Sequence, residues 1–141
     1  SPIELSKYCV KKWTEKGMKG SIINISSMAA LCPHPYMATY SASKAGLYHY
    51  SLASAAELRK QGIYVLTVCP GPTDTDLINK NDLSYPKAKV SEVAFDIVRA
   101  YEQKKKVLIT NKSYKILHFI SLLIPKLHKI NLIAYIMENR D

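Results

Sequence analysis

Two short apolar segments, with room for one helix between them, constrain the fold of this chain more than any other feature. Residues 21–26 and 63–69 are nearly continuous in apolar character and rich in β-branched side chains, a pattern typical of strands covered on both faces. A helix is predicted between them, from about Tyr40 to Lys60, because Gly62 then suits the left-handed position after its end. This order predicts two parallel strands joined by a crossover helix.

The flanking segments continue the alternation of helices and strands. Residues 2–16 have the pattern of an amphipathic helix with a proline in its first turn. After residue 69 a polar loop is predicted, with one short helix near residues 76–79. A further helix is predicted with Ser91 as its N-cap and an end near Lys104, followed by a third strand over residues 107–110. The fold class is therefore α/β, a parallel sheet with crossover helices.

Composition and cysteine content bound the class of protein. A chain of 141 residues that is 48% hydrophobic is long enough for one compact domain with its own core. The three cysteines are odd in number and show no metal-ligand spacing, and the histidines form no metal pattern either, so we expect free thiols and no metal site. Free thiols and the lack of a secretory signal pattern predict a cytoplasmic protein.

Positive charge is concentrated in one part of the chain. Lysine and arginine outnumber the acidic residues by 20 to 11, yet residues 99–129 hold eight basic residues and only Glu102 on the acidic side. Such a segment is either a solvated face or a surface for an anionic partner, such as a lipid, an acidic carrier or a nucleic acid. Because no nucleic-acid motif accompanies it, we expect no nucleic-acid partner.

The last thirty residues differ in character from the rest, so we divide the chain into residues 1–111, a sheet domain, and 112–141, a basic and apolar helical tail. The apolar runs 116–124 and 130–137 each fall short of the ~20 residues that a membrane-spanning helix needs. The tail is too apolar to stay exposed to water. It either closes over the substrate cleft as a lid, packs against a second subunit, or makes a peripheral membrane contact through residues 112–137. The break at Pro125 favours the lid or the subunit.

One tyrosine and lysine pair stands in a context that suits catalysis. The spacing Tyr-x-x-x-Lys occurs four times, but only Tyr40 and Lys44 open a helix after a strand that ends in two serines, and a strand that ends in Pro-Gly follows that helix. A phenol with a pKa near ~10 is a poor acid or base at neutral pH. Lys44 lies one turn further on the same helix face, where its charge can lower the pKa of the phenol. Tyr40 is therefore predicted to serve as an acid and base in proton transfer.

Three motifs together resemble the short-chain dehydrogenase/reductase family. They are residues 24–27 (NISS), 40–46 (YSASKAG) and 70–75 (PGPTDT), and they occur in the family's order and spacing. Ser27 lies thirteen residues before Tyr40, the usual separation in that family, which favours it over Ser26. The resemblance covers about residues 1–110 and implies the C-terminal half of a Rossmann-like, doubly wound parallel sheet.

The resemblance also implies an activity and its residues. The chain would belong to an oxidoreductase that transfers hydride between NAD(P)(H) and a carbonyl or alcohol, with NADP favoured over NAD. The ketoacyl and hydroxysteroid reductase branch is the most similar, and the apolar loop over residues 28–37 suggests a lipid-like ketone such as a 3-oxoacyl chain or a sterol. A homodimer or tetramer is implied. The implied catalytic residues are Ser27, Tyr40 and Lys44, and the implied cofactor-binding residues are Tyr40, Lys44, Pro70, Gly71, Thr73 and Thr75.

Part of the family's cofactor site has no counterpart in this sequence. The five glycines are scattered and form no glycine-rich turn for the cofactor phosphates. We therefore expect that the N-terminal, phosphate-binding half is absent, that the sequence is truncated by a gene model or a gene break, and that these 141 residues alone are inactive. The alternative is a non-catalytic remnant that binds a partner or a lipid. Gly46 is expected to serve close helix packing.

Overall fold

The computed structural model describes residues 1–75 and 87–110 together with a few positions in the tail. Those tail positions are Lys115, Ile116, His118, Phe119, Ile130, Asn131 and Tyr135, and all of them are helical. The short helix predicted near residues 76–79 lies outside the described residues, as does most of the tail. The division at residue 111, the helical tail and its membrane contact therefore remain predictions. No helix of the described part is long and apolar enough to cross a membrane.

Helices and strands alternate along the described chain, as the sequence predicts. The elements are α1 (Pro2–Glu15), β1 (Ser21–Ile25), α2 (Ala38–Leu58), β2 (Tyr64–Cys69), α3 (Val90–Glu102) and β3 (Val107–Ile109), with 3-10 turns at Met28–Ala30 and Arg59–Gln61. The strands form one parallel sheet in the order β1-β2-β3. In its register Ser21 lies opposite Tyr64, and Thr67 lies opposite Val107. The predicted α/β class is confirmed.

Helices cover the sheet from both sides, which is why the central strand is almost wholly buried. On one face α3 contributes Ala100, which packs with Leu66, Val68 and Leu108 in one core cluster. On the other face α1 and α2 pack against a second cluster of Leu58, Ile63 and Val65, with Trp13 of α1 partly buried against it. Burial of β2 on both faces explains its nearly continuous apolar character, which only Thr67 interrupts in the middle of the strand.

The outer strand β1 departs from the prediction that it is covered on both faces. Asn24 is buried, but Ile23 and Ile25 are 40% and 43% exposed. Ile23 lies opposite Leu66 in the register and so shares the sheet face that α3 covers further along. Helix α3 reaches only the start of that face, where the Ser21 hydroxyl lies 3.5 Å from the Tyr101 hydroxyl, and Ile23 and Ile25 beyond it stay exposed.

Local chemistry fixes the ends of the first two helices. Ser1 caps α1 through a capping box with Glu4, which satisfies backbone N–H groups at the helix start. After α1 the chain passes under the Trp13 ring, where a Cβ on Gly20 would lie 2.2 Å from a ring carbon. Helix α2 begins two residues earlier than predicted, at Ala38, and Gly62 adopts the left-handed conformation at φ 73°, as predicted.

Two expectations about α3 and α2 are wrong. Ser91 is not the N-cap of α3: the helix begins at Val90, and Lys89 is the capping residue without a side-chain hydrogen bond. The reason is a bridge between Thr73 and Ala88, which holds the chain extended up to Lys89. Gly46 does not serve close packing, because a Cβ there would meet no atom within 4 Å in the described structure.

Candidate active site

Backbone hydrogen bonds tie together the carboxyl ends of β1 and β2. The Ser26 N–H donates to the Val68 carbonyl at 2.7 Å, and the Met28 N–H donates to the Pro70 carbonyl at 2.9 Å. The residues on either side of Ser27 are therefore hydrogen-bonded to the neighbouring strand and the loop after it, which fixes the backbone of Ser27 at the edge of the sheet. In open α/β sheets, ligands bind outside this edge, at the carboxyl ends of the strands.

Ser27 presents a half-buried hydroxyl at this edge. Its backbone is extended, and its Oγ accepts a hydrogen bond from the Ala29 N–H at 3.1 Å, which caps the turn at Met28–Ala30. The hydroxyl proton has no acceptor among the described residues. Ser27 can therefore donate a hydrogen bond to a substrate oxygen while its own position is held by the backbone.

Tyr40 and Lys44 lie one turn apart at the start of α2. Tyr40 is the third residue of that helix and 39% exposed, and its hydroxyl makes no hydrogen bond within the described residues. The Lys44 Nζ lies 5.8 Å from the centroid of the Tyr40 ring and donates to the Ile25 carbonyl at 3.0 Å. The structure thus brings the Lys44 ammonium near both the phenol ring of Tyr40 and the last residue of β1, two residues before Ser27. It joins neither Ser27 nor Lys44 to the Tyr40 hydroxyl by a hydrogen bond.

The Pro-Gly loop after β2 is held in place by the end of β3. The Gly71 N–H donates to the hydroxyl of Thr110 at 3.4 Å, and Thr110 is buried. The hydroxyls of Thr73 and Thr75 turn back to carbonyls of their own loop, those of Gly71 at 3.0 Å and Thr73 at 3.5 Å. The predicted cofactor contacts of Pro70, Gly71, Thr73 and Thr75 remain predictions, on a loop that stands at the same edge as Ser27.

A buried polar scaffold under the site was not foreseen from the sequence. Asn24 Nδ2 donates to the Ser51 hydroxyl at 2.8 Å, and that hydroxyl donates to the Leu47 carbonyl at 2.7 Å. The Ser26 hydroxyl donates to the Lys44 carbonyl at 2.8 Å. The sequence pattern that could have indicated it is Asn24 and Ser26 in a largely apolar segment, together with Ser51, which lies two turns beyond Lys44 on the same face of α2.

The loop before α2 places apolar side chains beside Tyr40. Tyr36 is 77% exposed and has a positive φ of 63°, and Met37 is also exposed. Ser41 holds this loop, because its hydroxyl accepts from the His34 N–H at 3.2 Å and its own N–H donates to the Met37 carbonyl. Exposed apolar side chains therefore stand on the loop that leads into α2, and Ser41 ties this loop to the first turn of that helix.

A buried thiol lies directly below the site. Burial raises the pKa of Cys69 to about 11, although hydrogen bonds from Ser27 and Ser26 to the thiolate oppose the shift. The pKa of Tyr48 is raised by its own burial and by the nearby Cys69. Cys69 therefore stays protonated at neutral pH and is no nucleophile. All three cysteines are free thiols, as predicted, and the described residues contain no group of three His, Cys, Asp or Glu side chains that could hold a metal ion.

The fold and site define a doubly wound α/β protein with serine, tyrosine and lysine at the carboxyl ends of parallel strands. The family model for short chain dehydrogenases matches residues 1–85. The chain belongs to the short-chain dehydrogenase family, as its motifs predict.

Relatives and solved structures match different lengths of the chain. A mouse 17-beta-hydroxysteroid dehydrogenase type 3 is 38% identical over 90 residues, which cover 64% of this chain and 28% of that protein. A very-long-chain 3-oxoacyl-CoA reductase from Neurospora crassa is 42% identical over 73 residues, which cover 50% of this chain and 22% of that protein. The chain spans only a fraction of these relatives.

Two solved structures share the fold over most of this chain. A short chain dehydrogenase from Burkholderia cenocepacia in complex with NADP has a TM-score of 0.73 and 25% identity, covering 88% of this chain and 52% of its own. A 4-hydroxyisoleucine dehydrogenase complexed with NADH has a TM-score of 0.66 and 27% identity, covering 77% and 52%. These similarities confirm the Rossmann-like fold, and this chain spans about half of each structure.

Proposed function

We propose that this chain carries the proton-transfer centre of an oxidoreductase that interconverts a carbonyl and an alcohol with a nicotinamide cofactor. One observation carries the proposal: the Lys44 ammonium lies 5.8 Å from the centroid of the Tyr40 ring and donates to the carbonyl of Ile25, two residues before Ser27. A positive charge in this position favours the phenolate that proton transfer from Tyr40 leaves behind. Four Tyr-x-x-x-Lys pairs occur in the sequence, and of the three that the structure describes in full, only this one has a lysine hydrogen-bonded to the end of a strand.

Each residue has one role in the reaction. In reduction, the Tyr40 hydroxyl gives its proton to the carbonyl oxygen as a C–H bond forms at carbon and the C=O π electrons move to oxygen. Ser27 donates a hydrogen bond to that oxygen and holds it in line with the phenol. Lys44 stabilises the phenolate, and in alcohol oxidation the same phenolate takes the proton back. A nicotinamide cofactor, when bound, supplies or receives the hydride.

The residues at the edge fit such a cofactor. Among the described residues the ammonium of Lys44 donates one hydrogen bond, to the Ile25 carbonyl, and its other N–H groups would donate to the nicotinamide ribose hydroxyls. The loop with Pro70, Gly71, Thr73 and Thr75 would contact the carboxamide and the diphosphate. NADP is favoured over NAD, although similar structures bind one or the other.

A lipid-like ketone is the proposed substrate, either a 3-oxoacyl chain or a steroid. The exposed apolar side chains of Tyr36 and Met37 stand next to Tyr40, where the body of such a substrate would lie. The names of the matched relatives include a 3-oxoacyl-CoA reductase and a hydroxysteroid dehydrogenase. A homo-oligomer is proposed through α1, on which Leu5 and Tyr8 are exposed.

The second candidate is a non-catalytic module that binds a partner or a lipid. The exposed side chains of Ile23 and Ile25 on β1 favour it, because an open apolar strand is a ready surface for association. The two candidates differ in whether Tyr40 is required for turnover.

The test replaces Tyr40 by Phe in the complete gene product that contains these residues. We expect turnover of ketone substrates to be lost while cofactor binding, followed by fluorescence titration, is kept. Tyr8→Phe is a matched control, because the Lys12 Nζ lies 5.9 Å from the Tyr8 ring, nearly the same geometry as in the proposed pair. Near-normal turnover of Tyr40→Phe would contradict the proposal, and absence of turnover in the unmodified protein would favour the non-catalytic module.

A further inference from the structure

Two consecutive residues at the end of β1 hold Lys44 at both of its ends. The Ser26 hydroxyl donates to the Lys44 main-chain carbonyl at 2.8 Å. The Lys44 ammonium donates to the Ile25 carbonyl at 3.0 Å. Ser26 is only 3% exposed, and its hydrogen bond to the half-buried Lys44 is partly shielded from water.

This arrangement matters because lysine is a long and flexible side chain. Its four-carbon stem has many rotamers, so a lysine anchored at one end alone places its charge poorly. With the main chain of Lys44 fixed by Ser26, the stem needs only to span to the neighbouring carbonyl. The same hydrogen bond ties α2 to the end of β1. It therefore also helps to fix Tyr40, at the start of α2, relative to Ser27.

We propose that Ser26 is a positioning residue for proton transfer, which acts through Lys44 and does not touch the substrate. The inference rests on the proposed function. Ser26 is distinct from Ser27, whose hydroxyl faces its own turn and the edge of the sheet.

A merely structural role for Ser26 predicts that its replacement changes stability but leaves kcat and its pH dependence as they are. The hydrogen bond from Asn24 to Ser51, two residues earlier along β1, ties α2 to the sheet independently. The fold therefore keeps a buried polar tie between β1 and α2 when the Ser26 hydroxyl is removed. Ser26 also lies within hydrogen-bond range of the Cys69 thiol on the neighbouring strand, so replacing Cys69 tests that contact separately.

The experiment compares Ser26→Ala with Cys69→Ala in the complete gene product. Cys69 is as deeply buried as Ser26, and its replacement leaves the bond from Ser26 to Lys44 in place. We measure kcat, KM for substrate, thermal unfolding and the pH dependence of kcat. For Ser26→Ala we expect kcat to fall roughly tenfold with little change in KM, in line with small misplacements of a catalytic group. Its pH profile for alcohol oxidation should differ from that of the unmodified protein, because the Lys44 ammonium is no longer held at a fixed place beside the Tyr40 ring.

The control variants decide between the two roles. Cys69→Ala should keep the pH profile of the unmodified protein. Should Ser26→Ala fail to fold, Ser26→Thr and Ser26→Val form a second pair, equal in volume but with and without the hydroxyl, and only the threonine variant should keep the profile. An unchanged kcat and pH profile in Ser26→Ala or Ser26→Val, with Tyr40→Phe inactive, would overturn the positioning role alone. An active Tyr40→Phe would overturn the proposed function itself.

Discussion

The buried thiol of Cys69 makes the stability of the folded chain sensitive to alkaline pH. An exposed thiol of this kind ionises with a pKa of 9.0, and burial at the end of β2 raises the pKa to about 11. Between these two values the unfolded chain releases the thiol proton and the folded chain keeps it. Because the folded state then binds more protons than the unfolded state, the free energy of unfolding falls as pH rises.

The size of the effect follows from the shift. Each pH unit between 9 and 11 costs about 1.4 kcal/mol, so the full interval costs about 2 to 3 kcal/mol. A domain of this size has a total stability of roughly 5–15 kcal/mol. Below pH 9 the contribution of Cys69 is constant and fully present.

Urea unfolding at pH 8, 9, 10 and 11 measures this dependence, with Cys69→Ala as the reference. In Cys69→Ala the lost packing lowers the free energy of unfolding by the same amount at every pH. The part of the pH dependence that comes from the thiol is absent from this variant. We expect its stability disadvantage to shrink by about 1.4 kcal/mol per unit above pH 9. Cys9→Ala is the control at a half-exposed thiol, and Tyr48→Phe separates the neighbouring phenol. Parallel curves for the unmodified chain and Cys69→Ala would refute the reasoning.

Three further predictions test the site and the fold. Lys44→Met should weaken turnover and cofactor affinity together, and an unchanged affinity in fluorescence titration would exclude the ribose contact. The 141 residues alone should bind NAD(P)H more weakly than micromolar, because no glycine-rich phosphate turn is present; micromolar binding in calorimetry would demand another phosphate site. Gly20→Ala should cost about 1–3 kcal/mol because its Cβ would overlap the Trp13 ring, whereas Gly46→Ala, in open space within a helix, should gain up to about 1 kcal/mol in thermal or urea unfolding.

Features of the fold that depend on local chemistry could be predicted from the sequence. The run of apolar residues in β2 and the left-handed Gly62 follow from side chains and backbone preferences near in sequence. The pairing of Tyr40 with Lys44 follows from helix geometry alone, since four residues make about one turn.

Features of the fold that depend on contacts between residues distant in sequence could not be predicted in this way. The start of α3 is set by the bridge between Thr73 and Ala88, which outweighs the capping preference of Ser91. The part that Ser26 plays is visible only once α2 lies against the end of β1, because its partner is a carbonyl eighteen residues further along the chain. The exposure of Ile23 likewise depends on which elements reach that face, and no local pattern reports it.

The outer edge of β1 has a practical consequence for handling the chain. Within the described residues β1 pairs with β2 alone, so its other edge presents backbone N–H and C=O groups beside the exposed side chains of Ile23 and Ile25. Such an edge is a template for adding a strand from another molecule. Solubility at high concentration should therefore be limited by edge-to-edge association, and Ile23→Lys should raise it by placing a charge on the strand that other copies would pair with.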